Sequence, residues 1–557
     1  MDKNYPLPDP KLPEGIRFEK NVMLTMRDGI KVSVDVYRPK AEGKYPALYS
    51  TSGYLKGIQT FGGEVSHSIE AGATRFLVEN GYVHVIGQAR GSGLSQGRYN
   101  WYDKEEQKDG VEIIEWIAKQ PWCTGNVGMI GDSYFARTQW LIAGLQPPSL
   151  KCICPWDGSM DDYRSRHDGG LVFNGFLSGW GADTMFQAVW PGPVEGKEDP
   201  TNLFVEVAKN PDDGPFYWER SGYVNADKIN VPVLSMVHAG GRLHSKSQLM
   251  GWEKIKSPKK LIIMPPCGRM THVVLARSIP FNNYILRFLD KWLKGKETGI
   301  MDEPPVVIFD RVTKKPRFEN EYPVARTKWT KFFLRTGKEG PATKAPWGVV
   351  SQEQPGKEAP DSYAEPEAIE TLMAGKPVLA FSSEPLKEDL RVWGPLSAHI
   401  YGSSTSMDTG WFVRVNDISP EGQSTPLSMG VLKASYRKVN AAKSRPGMPY
   451  HDYQNPETPE PGKVYLYEFD LIPVFHTFKK GHKIWIQVAS NDLEILTTFA
   501  TMFASDMLPP CENKVYHDAE HPSHLLLPVV SDAPEIKPVP SPLADFVYPM
   551  GNTAMKF

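Results

Sequence analysis

Ser133 sits in Gly131-Asp132-Ser133-Tyr134-Phe135, directly behind the apolar run Val127-Gly128-Met129-Ile130. A serine flanked by small residues at a sharp strand-to-helix turn presents its hydroxyl as an acyl-transfer nucleophile, and the pattern for that turn is G-x-S-x-G. Here the last glycine is Phe135, a departure at the point where strand and helix nearly touch. Such a serine needs a base about 3 Å away and two donors aimed at the developing oxyanion. His238 and His244 flank a short glycine-containing turn, where a neutral imidazole hydrogen-bonds a substrate or shuttles a proton; a plain loop histidine is the open alternative. His84 lies inside an apolar run and reads as a core residue, and Asp132 reads as structural.

The turn must be held by strands and helices, and the chain supplies both. Residues 31–37 alternate as a half-buried strand does, and 46–51 and 82–86 follow as buried strands. Val111, Ile114, Ile117 and Ala118 recur at helical spacing, widened by Ile113 and Trp116, up to Gln120-Pro121. The helix after Ser133 runs to Pro147-Pro148, and Lys151-Cys152-Ile153-Cys154 begins the next strand. Strands alternating with helices predict an α/β fold with a mostly parallel sheet covered on both faces. From about Trp156 to Asp227 the chain turns aromatic and rich in Gly and Pro, with Phe173, Phe176, Trp180, Phe186 and Trp190, which predicts an inserted cap. A cap of this kind lines an apolar small-molecule pocket, and Trp156 is a candidate substrate contact. Strands resume at 231–237 and 260–264, and a helix at 283–293 closes the unit. Beyond Pro304 short β segments and turn dipeptides predict a β-sandwich or jelly roll, with 338–376 as a long surface loop. The expected organisation is an α/β core over 1–155 and 228–303, a cap over 156–227, and a jelly roll over 304–557.

Composition excludes several classes. The 557 residues carry 63 Lys and Arg against 65 Asp and Glu, a formal net charge of -2 with the signs interspersed, so no basic block tracks a nucleic-acid backbone. No apolar run approaches the ~20 residues that cross a bilayer, and the N-terminus lacks the apolar core of a secretion signal, so a cytoplasmic protein is expected. Five cysteines are too few and too scattered for a disulfide framework, and Cys152-Ile153-Cys154 has the wrong spacing for a zinc knuckle. No cofactor and no metal are expected. The expected partner is a small-molecule substrate, without nucleic acid or membrane, and a homodimer is compatible with the sequence.

Further motifs carry a family resemblance over nearly the whole chain. Asp28-Gly29-Ile30, Asp35-Val36-Tyr37-Arg38-Pro39, Gly81-Tyr82-Val83, Arg90-Gly91-Ser92-Gly93-Leu94-Ser95-Gln96-Gly97, Glu115-Trp116 and Gln120-Pro121-Trp122 stand in the order and spacing of the cocaine esterase-like (CocE/NonD) hydrolases, relatives of the X-Pro dipeptidyl-peptidases. Gly394-Pro395-Leu396, Asp408-Thr409, 417–422 and Gly481-His482-Lys483-Ile484 resemble that family's C-terminal jelly roll. The resemblance implies an α/β-hydrolase domain with a cap and a jelly roll. It implies Ser133 as nucleophile, with the backbone N–H of Tyr134 and the hydroxyl of Tyr54 as oxyanion donors.

The acid and the base depart from that family. Its aspartate follows the strand equivalent to 231–237, yet 238–244 reads His-Ala-Gly-Gly-Arg-Leu-His and no carboxylate lies between Asp227 and Glu253. In the base turn Arg269 holds the histidine's slot, and His272, three residues later, serves as base if the loop conformation differs. Arg269 is no base near neutral pH, but its guanidinium binds a carboxylate or stabilises an enolate. The resemblance thus points to Ser133, His272, Tyr54 and Tyr134 as catalytic, while Arg269, His238, His244 and Trp156 are candidate substrate-binding residues by their own chemistry. Asp157, Asp161 and Asp162, behind the next strand, read as turn carboxylates of the cap loop, with a rescued triad as the alternative. Three functions are weighed: hydrolysis of a hydrophobic ester or amide through Ser133; a cyclase, isomerase or lyase of small-molecule biosynthesis that reuses the pocket; and a non-catalytic binder.

Overall fold

A computed structural model describes residues 12–57, 70–266, 278–337, 348–365, 378–490, 510–532, 534, 536 and 541–547. Val32, Val34 and Val36 share one face of strand β2 (Lys31–Pro39) and enter the core. The opposite face, expected to meet water, is buried as well: Lys56 reaches across it to Ser33 Oγ at 2.5 Å and Asp35 at 3.3 Å. A half-buried strand is therefore corrected to a fully covered one, because a distant lysine neutralises its polar side.

Beside β2 lie β1 (Ile16–Thr25), β3 (Tyr45–Ser52), β4 (Val83–Gln88), β5 (Cys123–Asp132) and β6 (Leu150–Trp156). The short strands β7 (His167–Asp168) and β8 (Leu171–Val172) form a ribbon of their own, and β9 (Val233–His238), β10 (Lys259–Met264), β11 (Val306–Phe309) and β12 (Pro316–Glu319) return to the main sheet. Its order is β1-β2-β4-β3-β5-β6-β9-β10-β11-β12, with β3 through β6 and β9 through β11 parallel to one another and β2 and β12 antiparallel to the strands beside them. The expected boundary at Pro304 is thus too early, since β11 pairs with β10 and β12 with β11. Short apolar strands look alike on either side of a boundary; only pairing assigns them to a sheet.

Both faces of the sheet are covered, and the short helix α1 (Thr74–Glu79) leads into β4. Val127 and Met129 of β5 face the side occupied by α2 (Lys104–Ala118) and α3 (Tyr134–Ala143), with Ile113, Ile117, Trp140 and Ile142 against them. Ile130 faces the other side, where α9 (Ile279–Lys294) brings Phe281, Ile285, Phe288 and Leu289. Each such side chain contributes roughly 1.5–3 kcal/mol when fully buried. Asp103 caps α2 by accepting from Glu105 N at 3.2 Å and Glu106 N at 2.9 Å, and α9 stops at Gly295, whose φ of 67° a side chain resists. All ten residues of α3 are buried, so the helix behind Ser133 is rigidly held.

Between β6 and β9 lie the helices α4 (Asp162–Arg166), α5 (Asn174–Val189), α6 (Leu203–Lys209) and α7 (Pro215–Trp218); α8 (Ser245–Lys254) follows β9. A second, 13-stranded sheet runs from Thr327 to Val530 around Trp411, Phe469, Ile486 and Leu525. The two units are joined tightly: Lys433 N donates to Gly169 O at 2.8 Å, and Trp393 Nε1 to Asp310 Oδ2 at 3.0 Å. No helix among the described residues is long and apolar enough to cross a membrane.

Candidate active site

Ser133 leaves β5 with φ 57° and ψ -114°, a conformation that costs an L-residue on the order of 1–3 kcal/mol and persists only when its surroundings enforce it. They do so through Ser133 N, which donates to Trp156 O at 2.9 Å, and Asp132 N, which donates to Glu70 O at 2.8 Å. The departure at Phe135 now has an account. A Cβ at Gly131 would lie 2.5 Å from Phe135 Cβ, and one at Gly158 would lie 2.5 Å from Ala136 Cβ. Gly131 before the turn clears Phe135, and Gly158 on the facing loop clears Ala136 after it, so Phe135 fills the apolar core beside Tyr54.

Two donors flank the serine. Tyr134 N is at the first turn of α3, ahead of the first intrahelical bonds, which Ala136 N and Arg137 N make to Ser133 O at 3.1 and 3.0 Å. Tyr54 Oη accepts from Trp180 Nε1 at 2.7 Å, which leaves its own proton to donate elsewhere. Burial, with Glu70 adding to it, holds the Tyr54 phenol well above its ordinary range, so it stays a donor. Tyr134 turns its ring inward, edge-on to Tyr54 at 5.5 Å, and its hydroxyl donates to Glu106 Oε2 at 3.0 Å. Burial and the nearby Asp103 push Glu106 up to about 8, so the carboxyl beneath the turn is neutral at pH 7. Tyr99, Tyr102 and Trp180 complete an aromatic wall.

Asp157 is not the loop carboxylate expected from its position. It is 2% exposed, has φ 42°, and accepts from His238 N at 2.9 Å and, through its other oxygen, from His238 Nδ1. Burial alone would raise its pKa, but the His238 imidazole and the two hydrogen bonds hold the carboxyl below its ordinary value. His244 lies close by, accepts from Ser159 N at 3.2 Å through Nδ1, and is pushed down to about 3 by burial, so it is neutral. Asp161 instead caps α4, accepting from Arg164 N at 3.0 Å. Asp162 is buried between Arg137 of α3 and Arg166.

Of the residues singled out in the sequence, Ser133, Tyr54 and Tyr134 come together, and His238 and His244 stand two strands away. Trp156 takes part through its carbonyl, while its indole is wholly buried in the core between sheet and α9. Arg269 and His272 lie outside the described residues. The Arg90 motif is structural: its guanidinium grips Asp109 at 2.7 and 2.6 Å and Asp28 at 3.0 Å. Sequence reasoning passed over Trp180 as a partner of Tyr54 and ranked Asp157 as a bystander. The available signal for Asp157 was its place directly behind the carboxyl end of a parallel strand, where open α/β sheets build their sites. A separate cleft, lined by Arg164, Tyr223, Glu253, Lys254, Arg445 and Tyr450 among others, includes none of these groups, and its arginines are already paired with Asp161 and Glu253.

Residues 28–272 match the family described as X-Pro dipeptidyl-peptidase (S15 family), and residues 298–526 match the X-Pro dipeptidyl-peptidase C-terminal non-catalytic domain. The cocaine esterase of Rhodococcus sp. is 26% identical, over 92% of this chain and 98% of its own length. Among solved structures, a CocE/NonD family hydrolase from Staphylococcus aureus superposes with a TM-score of 0.81 at 22% identity, covering 94% of this chain and 97% of that one. An α-amino acid ester hydrolase gives 0.71 at 19% identity, covering 95% and 99%. At these identities the solved structures establish the shared fold.

Proposed function

From the premise that the chain belongs to the serine hydrolases of the X-Pro dipeptidyl-peptidase (S15) and CocE/NonD type, we propose that it hydrolyses an ester or amide of an apolar small molecule through Ser133. The observation that carries this reading is the strained Ser133 turn with two oxyanion donors beside it, Tyr134 N and Tyr54 Oη. The hydroxyl adds to the substrate carbonyl, the two donors bind the oxygen as it becomes anionic, and water then releases the acyl group. The aromatic wall favours a hydrophobic acyl or alcohol group.

The relatives are named as esterases and dipeptidyl-peptidases, which supports hydrolysis and offers nothing for a cyclase, isomerase or lyase. We read the second unit as a jelly roll, on the texture of its short strands. A reducing cytoplasm fits four buried cysteines that form no disulfide, Cys123, Cys152, Cys154 and Cys511.

The test is covalent labelling by a fluorophosphonate probe. The wild type is expected to label and Ser133→Ala is not; an unlabelled wild type sinks the serine-hydrolase reading.

A further inference from the structure

We infer that Trp180 and Arg166, both supplied by the segment between β6 and β9, are positioning residues for the oxyanion site. The Arg166 cation polarises the Trp180 indole, and the indole N–H in turn aims and strengthens the Tyr54 hydroxyl as a donor. The inference rests on the hydrolase reading above and extends it from the groups that touch the carbonyl to the helices α4 and α5 behind them.

Three observations carry it. First, Tyr54 stands beside the nucleophile turn with no strand between them. β3 pairs directly with β5, Tyr49 opposite Met129, and the Tyr54 ring packs 5.5 Å from that of Tyr134 and 6.4 Å from that of Phe135, the two residues after Ser133. Second, an indole has one polar atom, a donor, and Trp180 aims it at Tyr54 Oη at 2.7 Å. A phenol that accepts such a bond has its O–H direction restricted and its proton made more acidic, because hydrogen bonds in a chain polarise one another. Burial raises the Tyr54 phenol, and the Trp180 hydrogen bond draws against that rise. Third, a cation stands over the far end of the chain. Arg166 is wholly buried, its guanidinium carbon lies 4.5 Å from the centre of the Trp180 ring, and none of its three nitrogens has a hydrogen-bond partner among the described residues. A desolvated guanidinium over an indole face draws density from the ring, which strengthens the N–H as a donor.

This arrangement suits tuning better than anchoring. An arginine that anchors a fold does so through its hydrogen bonds, and a buried guanidinium without them costs stability. Asp162, 3.3 Å from Arg166, also accepts from Arg137, and Arg220 acts on it from further off, so three guanidinium groups face one carboxylate. Glu106, neutral at pH 7, does not offset the excess. Positive potential behind Trp180 favours the negative charge that develops on the carbonyl oxygen ahead of Tyr54. Phe176 stacks on Trp180 at 5.5 Å and 16°, which holds the indole plane. The proton stays on Tyr54 throughout; only the strength of its hydrogen bond to the oxyanion changes.

The experiment measures p-nitrophenyl butyrate hydrolysis by the full chain, with fluorophosphonate labelling of Ser133 as the check on the hydrolase reading. Trp180→Phe keeps an aromatic ring beside Arg166 and removes the N–H; it is expected to lower kcat about tenfold with KM little changed. In a Tyr54→Phe background the same substitution is expected to change kcat by less than about twofold, since its effect passes through the phenol. A merely structural role of Trp180 would lower kcat equally in both backgrounds. Arg166→Gln leaves Asp162 with Arg137; it is expected to lower kcat by roughly three- to tenfold, and Arg166→Lys, which keeps the charge, to restore most of the loss. Should Arg166→Gln fail to fold, the Trp180 and Tyr54 cycle still decides. A Trp180→Phe enzyme with kcat within about twofold of the wild type overturns the inference. So does a Trp180→Phe effect of the same size with and without the Tyr54 hydroxyl, and both results leave Ser133 hydrolysis standing. A wild type that does not label at all overturns both readings.

Discussion

At the residue scale, the site depends on groups kept in one protonation state by burial. Tyr54 is the clearest case: its phenol is held well above its ordinary range and its oxygen accepts from Trp180 Nε1, so it keeps its proton as a donor. With Tyr54 as the proposed oxyanion donor, Tyr54→Phe is expected to lower kcat by roughly 10²–10³ with KM little altered. Steady-state kinetics on a p-nitrophenyl ester check this, and a kcat within threefold of wild type would remove Tyr54 from the oxyanion site. The Ser133 turn was legible in the sequence as a short local motif, while Tyr54 and Tyr134 were singled out only through the family resemblance. Asp157 was not legible, since an aspartate behind a strand is most often a turn residue and nothing local names its partner. The packing around Phe135 was legible only in part: Gly131, close in sequence, clears Phe135, while Gly158 across the loop clears the next residue, Ala136.

At the scale of elements, the helix behind the nucleophile is tied to the helices over it by a buried ion cluster. Asp162, at the start of α4, accepts from Arg137 of α3 and lies 3.3 Å from Arg166. Arg137 stacks over Tyr102 at 4.3 Å and Arg166 over Trp180 at 4.5 Å, which connects the cluster to the aromatic wall. Removing the carboxylate would leave two guanidinium groups uncompensated in the interior. Asp162→Ala is therefore expected to destabilise the α/β unit by about 3–5 kcal/mol. Thermal unfolding followed by near-UV circular dichroism measures it, and an unchanged midpoint would show that the cluster holds nothing together.

At the scale of the whole molecule, buried titratable groups set how stability follows pH. His84, His167 and His244 are each pushed down to about 3 by burial, so they are neutral when folded and take up protons below about 6.5 on unfolding. Their contribution is complete above pH 6.5 and is lost as pH falls toward 3, at about 1.4 kcal/mol per pH unit each. Glu106, pushed to about 8, and Asp213 and Glu253, each to about 7, all mainly by burial, work in the opposite sense. They favour the folded state below the unfolded carboxyl pKa, and that contribution fades as pH rises toward 7 or 8. Three groups of each kind nearly cancel between pH 6.5 and about 4.5. Below that the unfolded carboxyls are also protonated, the cancellation ends, and the histidines dominate. The thermal midpoint of the α/β unit is expected to stay almost level from pH 6.5 to 5 and to drop steeply below 4.5; a steady decline starting at pH 6.5 would refute this balance.

The sequence by itself determined the sharp Ser133 turn, the alternation of strands and helices, and the division into an α/β unit and a β-rich unit. These follow from local spacing and from motifs a few residues long. The tertiary structure alone decided that β11 and β12 join the first sheet, that a lysine covers the polar side of β2, and that Asp157 meets His238 across 81 residues of chain. The physical reason is the same in each case. Strand pairing brings the ends of β6 and β9 side by side and buries what lies there, and a buried carboxylate finds its partner among spatial neighbours that linear spacing does not encode.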